Sequence, residues 1–380
     1  MASDWRSQHT DYFWVAHNKM HEAYGDITSM IVMGKPLIIL HTRKLAVELF
    51  EKRHQLYSTR PDFTMIVHLV GWDRATVHME PDNLWRDRRR NFCRLFGTRT
   101  LMQKFDGVQI YETSWAGSMI LKIVYRHDTK AGHDPLVELV DEAMSQFIML
   151  SRPGAYAVDF IPWLKYVPAW FPGAKFQREA KYCRQTLTNM IEVKEQMKQG
   201  KTAPSFVSKL LSADDYTPEM EYSVKTSAAS IHSARADSTG AQVHGFYLLM
   251  VLWPDAQRKA QEEIDRVVGP DRLPDFNDRG NLPFVEALIK ECMRHHCAVP
   301  ISNARRALRD DVVEGYLIPK GAIIQANAWG MLHDPNIYPD PLNFVAERWL
   351  TEPSPPHPRE VVFGFGRRIC SGMIMADNSF

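Results

Sequence analysis

No stretch of this sequence is apolar over the ~20 residues that a helix needs to cross a bilayer. Its opening, MASDWRSQHTDYFWVAHNKM, has no apolar core of the secretory kind. The chain as written is therefore expected to be soluble. Cysteine is scarce: Cys93, Cys183, Cys292, Cys297 and Cys370 are odd in number and scattered. That argues against a disulfide framework and for a reducing compartment. Neither sign of charge is in excess, the net being +1, so bulk electrostatics favours neither nucleic acid nor an acidic membrane surface. Internal repeats and low-complexity linkers are missing as well. What remains, 45% hydrophobic and 24% charged over 380 residues, is a globular composition with enough chain for one large domain or two ordinary ones.

The patterning is mostly helical. Trp5 to Tyr24 reads as a helix that Gly25 can end in the left-handed region. Ile27 to Met33 and Leu37 to His41 read as strands joined at Gly34-Lys35, and Thr42 can cap a helix running to Phe50. From about Trp85 to Leu211 the pattern is helical, broken at SRPGAYAVDFIPWLKYVPAWFPG, whose prolines and aromatics predict a packed loop. A long helix follows, with Thr217 as cap, Pro218 in first position and Pro254 as its stop. Two more helices are expected, one ending at Gly269 and one starting near Pro283. Short strands lie within VVEGYLIPKGAIIQANAW, with a turn at Pro319-Lys320-Gly321. The class is mainly α with a small β region.

Near the end stands FGFGRRICSG, residues 363–372. A thiolate is favoured by positive charge and by a helix N-terminus. Arg367 and Arg368 precede Cys370, and SGMIMADNSF can open a helix after it. Gly364, Gly366 and Gly372 let the backbone pass close to something flat or bulky. The residues alone leave three readings open: a metal-binding thiolate, an attacking thiolate and a buried structural cysteine.

Phe363, Gly366, Arg368, Cys370 and Gly372 together form Phe-x-x-Gly-x-Arg-x-Cys-x-Gly, which resembles the haem-binding loop of the cytochrome P450 family. The likeness extends over nearly the whole chain and is strongest to fungal members with secondary-metabolite or xenobiotic roles. It implies a single P450-type domain over residues 1–380 and haem b (iron protoporphyrin IX) bound through Cys370 as iron ligand. A haem thiolate of this kind pushes electron density that favours O–O cleavage. The resemblance further implies that Arg368 pairs with a haem propionate and that Phe363 packs beside the sulfur. Trp85 and Arg89, one helical turn apart in LWRDRRRNF, are implied to meet a propionate, and Arg305 stands where another propionate partner is often found. Glu291 and Arg294 share a helix face. In the family such a pair is buried and joined by a later arginine, here Arg348, in a structural triad.

In the long helix, SARADSTGAQ resembles the segment that crosses the distal face of the haem. Asp237 takes the acid position and Ser238 the alcohol position of a proton relay to bound dioxygen. Serine lacks the methyl that restricts threonine's rotamer, so slower or leakier proton delivery is expected. Arg235 occupies a position the family gives to glycine, pointing either away from the haem or into the pocket. Other departures are Ala346 in place of the proline before Glu347, and a segment skipped between Thr113 and Ser114. By the resemblance the chain is expected to be incomplete at both ends, lacking the membrane anchor and the part after the cysteine loop.

The implied function is monooxygenation of a small apolar organic molecule, with electrons coming from NADPH through NADPH-cytochrome P450 reductase. The implied location is the cytoplasmic face of the endoplasmic reticulum, or a soluble or peripheral state without the anchor. Nucleic acid has no place in it. The alternative is an impaired remnant that binds haem weakly or not at all. A third reading, a cysteine-nucleophile hydrolase, would need His295 or His296 as the partner of Cys370.

Overall fold

The computed structural model describes residues 13–103, 134–152, 154–192 and 218–378, with the side chains of 95–96, 218–221 and 235–237 left aside. Helices of a dozen residues or more carry labels here. The first, α1 (Phe13–Tyr24), ends as its sequence requires: Gly25 adopts φ +91° and its N–H donates to the His21 carbonyl. Residues 5–12 of the expected helix, like Thr217 at the expected cap of the long one, lie outside the described residues.

Strands β1 (Ile27–Val32) and β2 (Lys35–Leu40) form an antiparallel hairpin. Its two-residue turn is Met33-Gly34, both at positive φ, which suits the right-handed twist of paired strands. The turn thus lies one residue earlier than expected. Thr42 does cap the next helix, Arg43–Val47, accepting from the Leu45 N–H.

Strand β2 pairs in parallel with β6 (Ile323–Ala326), and β3 (Arg305–Arg306) closes the other edge, in the order β1-β2-β6-β3. Successive side chains of a strand point to opposite faces, and here both faces are buried. Ile38, Leu40, Ile324 and Ala326 join a core that includes Phe50, Val361 and Phe365. Leu37, Ile39 and Ile323 join a second core of residues from the main helical body. The sheet is therefore the partition between the cysteine loop's bed and the helices.

A second hairpin joins β4 (Asp311–Val313) to β5 (Tyr316–Ile318). The turn expected at Pro319-Lys320-Gly321 is present, but the hairpin itself is made by an earlier one that was not foreseen. Glu314-Gly315, both at positive φ, makes the hairpin, whereas Pro319 to Gly321 turns the chain from one sheet to the other.

Helices α2 (Asn83–Phe96), α3 (Pro135–Leu150) and α4 (Lys175–Glu192) precede the long α5 (Pro218–Leu252), whose 35 residues span about 52 Å. Pro254 then starts α6 (Pro254–Val267), and α7 is Pro283–His295. Between α3 and α4 the expected packed loop is packed in part, with Tyr156 and Leu164 against the second core. Val158 and Asp159 are buried, and Asp159 accepts from the Met65 N–H at 2.7 Å. Three of its aromatics turn outward: Trp163 is 80%, Tyr166 75% and Trp170 79% exposed.

The chain after α7 is held by one carboxylate. Glu291 and Arg294 are fully buried and meet through two hydrogen bonds, at 2.8 and 2.9 Å. Glu291 also accepts from the Val345 N–H, Arg348 Nε and Trp349 Nε1 at 2.9, 3.2 and 3.1 Å. Arg294 donates onward to the carbonyls of Leu332, Pro341 and Asn343. The expected triad is thus present, with Trp349 as an unforeseen fourth member.

Two outcomes follow from these burials. Glu291→Gln leaves Arg294 buried without its countercharge and is expected to cost roughly 3–5 kcal/mol, read as a lower urea midpoint at unchanged slope. Burial pushes the Asp159 carboxyl up to about 6. A raised acid pKa favours the protonated fold, so its contribution is present at low pH and is lost as pH climbs from 3.8 to about 6. Asp159→Asn is expected to flatten that part of the stability profile.

Candidate active site

The cysteine loop begins after the helical turn Arg359–Val362. The Cys370 N–H donates to the Phe363 carbonyl at 2.8 Å, closing the loop at its base. Gly364 and Gly366 take φ of +75° and +57°, the left-handed region that glycine enters without steric cost. A Cβ on Gly366 would stand 2.0 Å from the Phe50 carbonyl oxygen, so the close approach is to protein backbone. Gly372 is different, since a Cβ there would sit at ordinary contact distance, 3.9 Å from Cys370 Sγ.

Solvent reaches Cys370, yet the protein around it pushes the thiol above its ordinary value, mainly through burial. A backbone hydrogen bond from Gly372 and the charge of Arg89 work the other way. This corrects the sequence reading, which had the adjacent arginines depress the thiol. Arg367 faces solvent. Arg368 turns to the carbonyls of Ser58 (2.9 Å) and Met79 (2.6 Å). The cation that reaches the sulfur is Arg89, from α2, which donates to the Ile369 carbonyl at 3.1 and 3.2 Å.

Around this loop lie cations that carboxylates such as Glu80 and Glu51 reach only at a distance. Arg305 is buried over the Phe50 ring (3.9 Å to its centroid) and donates to the Phe365 carbonyl at 2.7 Å. Arg60 donates to the carbonyls of Val77, Asn303 and Ala304. Arg89 and Arg368 both stand over the buried Trp85 ring, 5.2 and 4.7 Å from its centroid. Burial, and then mutual repulsion, bring Arg305 down to about 9 and Arg60 well below the usual guanidinium range. Arg368 falls to about 10, chiefly through burial. Among the described residues none of these four arginines forms an ion pair. Carbonyl dipoles solvate a guanidinium but do not neutralise it, and an uncompensated buried charge is costly.

This donor set fits an iron porphyrin. Cys370 Sγ is open for iron, while Arg60, Arg305 and Arg368 supply positive charge for two propionates. Of the expected cofactor residues, the structure brings Trp85, Arg89, Arg305, Arg368 and Cys370 into one region. Phe363 joins them through its carbonyl. Arg60 went unnoticed in the sequence: STRPDF carries no periodicity or spacing that marks it, and its partners Asn303 and Ala304 are distant in the chain. His78 was missed too. Both its ring nitrogens are buried without a partner, 5.6 Å from the Phe147 ring. Buried polar atoms are normally satisfied, so this imidazole has room for a ligand's hydrogen bond.

On α5, Ser238 Oγ donates to the Ala234 carbonyl at 2.7 Å. The side chains of Asp237 and Arg235 lie outside the described residues. The hydrolase reading finds no support: His295 contacts the Leu342 carbonyl and His296 the Ala241 carbonyl, both at 3.1 Å.

The Cytochrome P450 family model matches residues 113–379 of this chain. Cytochrome P450 monooxygenase 208 of Postia placenta is 39% identical, over 96% of this chain and 77% of that protein. The O-methylsterigmatocystin oxidoreductase of Aspergillus flavus is 34% identical, over 96% and 74%. Among solved structures, a zebra fish cytochrome P450 with progesterone superimposes with a TM-score of 0.75 at 20% identity, covering 97% of this chain and 90% of that one. That last likeness speaks for the fold alone.

Each cradle arginine is testable by itself. Arg305→Ala or Arg60→Ala is expected to weaken haem retention roughly ten- to hundredfold, the worth of one lost charge-assisted contact. Titration of haem into haem-free protein, followed by absorbance, measures it.

Proposed function

This chain belongs to the cytochrome P450 family and is by that resemblance a monooxygenase, and on that premise we propose that it uses haem ligated by Cys370 to insert one atom of dioxygen into a small apolar organic substrate. The observation that carries the reading is the pairing of one accessible sulfur with buried arginines that form no ion pair among the described residues. Haem bound there supplies dioxygen activation at a thiolate-ligated iron. Everything else is the chain's own work. Arg60, Arg305 and Arg368 would hold the propionates, and Trp85 stacks beneath the Arg89 and Arg368 guanidiniums. The Gly372 N–H and Arg89 favour the charged form of the sulfur against the desolvation of its surroundings.

Ser238 on α5 would be the hydroxyl that hands protons toward the bound haem, with Asp237 as the acid that the sequence pattern offers beside it. To pass one on, Ser238 must release the Ala234 carbonyl by rotating about χ1, which serine, without threonine's methyl, does readily. The same freedom lets the hydroxyl stay parked on that carbonyl. This favours the second reading, a haem binder with little productive turnover.

Electrons come from NADPH through a reductase. The exposed side of α2 supports docking of a partner with an acidic face: Arg86, Arg90 and Arg94 face solvent on the helix whose Arg89 reaches the cysteine loop, and Arg367 is exposed on the loop itself. Complementary charge of this kind chiefly speeds encounter. The location we propose is the cytoplasmic face of the endoplasmic reticulum. Ile161, Trp163, Tyr166, Trp170 and Phe171 are exposed beside the β1–β2 hairpin, whose tip exposes Ile31 and Met33. Lys35 joins hairpin to loop through the Asp159 carbonyl. Exposed tryptophan and tyrosine beside aliphatic residues suit the polar–apolar boundary of a bilayer. Among the described residues no helix is long and apolar enough to span one.

The reduced, carbon-monoxide-treated protein is expected to show the red-shifted Soret band of thiolate ligation, and Cys370→Ala to lose it. With reductase and NADPH, oxidised product per NADPH should rise in Ser238→Thr and fall in Ser238→Ala. A thiolate band with no product from any substrate panel would favour the non-productive binder, and no band at all would end the monooxygenase reading.

A further inference from the structure

A single carboxylate closes the cysteine loop from behind. Asp377 ends the short helix Met373–Asp377, and its side chain is 7% exposed. Three guanidiniums converge on it from separate parts of the chain. Arg359, in the helical turn before the loop, places Nη2 2.9 Å from Oδ1. Arg99, in the short helix Arg99–Met102 that follows α2, places Nη2 3.3 Å from Oδ2. Arg279 stands 3.7 Å from Oδ2 and also donates to the Asp377 carbonyl at 3.1 Å. Arg279 is gripped in turn by Glu286 of α7, one turn and a half before Glu291.

The geometry points to Asp377 as a positioning residue for the sulfur. Arg359 and Asp377 are 18 residues apart, and Cys370 lies between them, so their ion pair joins the two flanks of its loop. The loop needs such a clasp. It contains two glycines at positive φ, and the helix after it starts at Gly372 without a side-chain cap. Closing a flexible loop carries an entropy cost that its ends must offset, and a carboxylate bound by three arginines supplies charge-assisted contacts to do so. Arg99 and Glu286 extend the clasp to α2's end and to α7. The sulfur is thereby referenced to the framework that also holds Glu291. Asp377 touches neither iron nor substrate and acts only through the loop. This inference rests on the haem-thiolate reading and deepens it.

Asp377→Asn keeps the shape and removes the charge, and Asp377→Glu keeps the charge. Arg99 and Arg359 are partly exposed, so they can turn to solvent when the carboxylate is neutralised, and the fold should survive. Two readouts are taken on the full chain. On haem-loaded protein, the ratio of thiolate-type to non-thiolate reduced carbon-monoxide bands should fall several-fold in Asp377→Asn and recover in Asp377→Glu, with a smaller loss of urea stability than in Glu291→Gln. On haem-free protein, alkylation of Cys370 by iodoacetamide, followed by peptide mass spectrometry, should be several-fold faster in Asp377→Asn, with exposed Cys93 as the internal standard. An unchanged alkylation rate overturns the clasp whether or not haem binds. So does an unchanged band ratio, or a band loss that Glu fails to rescue and that merely tracks lost stability. A wild-type chain that takes up no haem sinks the underlying reading, and the alkylation arm then decides the clasp by itself.

Discussion

Buried positive charge with no ion-paired anion among the described residues is the constraint on which this structure turns; Glu80 and Glu51 act on it only from a distance. Arg60, Arg305 and Arg368 are held in place by carbonyl oxygens from widely separated segments, and each has its charged state disfavoured by burial. Such an arrangement is unfavourable in the protein alone, because dipoles recover only part of the lost hydration. It becomes favourable once a dianionic ligand arrives. The cradle thus suits an anionic cofactor, with unmet electrostatic demand to offer it and the Cys370 sulfur beside it.

Two carboxylates hold that demand in register from the other side. Glu291, with five hydrogen bonds from Arg294, Arg348, Trp349 and the Val345 amide, ties α7 to the chain that leads to the cysteine loop. Asp377, with its three arginines, ties the loop's far flank to the same helix through Arg279 and Glu286. Between them runs the β2–β6 partition, whose Ile38, Leu40, Ile324 and Ala326 form the apolar bed under Phe365. Framework, loop and cradle are thus one connected object.

What could be read from the sequence was whatever depends on fixed local spacing. The cysteine loop, the Glu291–Arg294 pair and the Gly25 and Thr42 helix ends all rest on a few neighbouring positions, and all stand in the structure. Failures came where chain distance misleads. Arg367 and Arg368 adjoin Cys370 in sequence, but the cation acting on the sulfur is Arg89 from α2. VVEGYLIPKG holds two glycine turns, and only pairing across the sheet reveals that the first makes the hairpin. The proline- and aromatic-rich loop read as packed is so only in part: Tyr156, Val158 and Leu164 join the second core, whereas Trp163, Tyr166 and Trp170 face solvent although tryptophan is highly buried on average. Arg60 was invisible because its partners are backbone carbonyls, which any sequence supplies.

The most direct measurement is X-ray absorption at the iron edge of the haem-loaded chain. The account predicts one sulfur scatterer in the iron's first coordination sphere, present in the wild type and absent in Cys370→Ala. A shell of nitrogen and oxygen alone in the wild-type protein would contradict it.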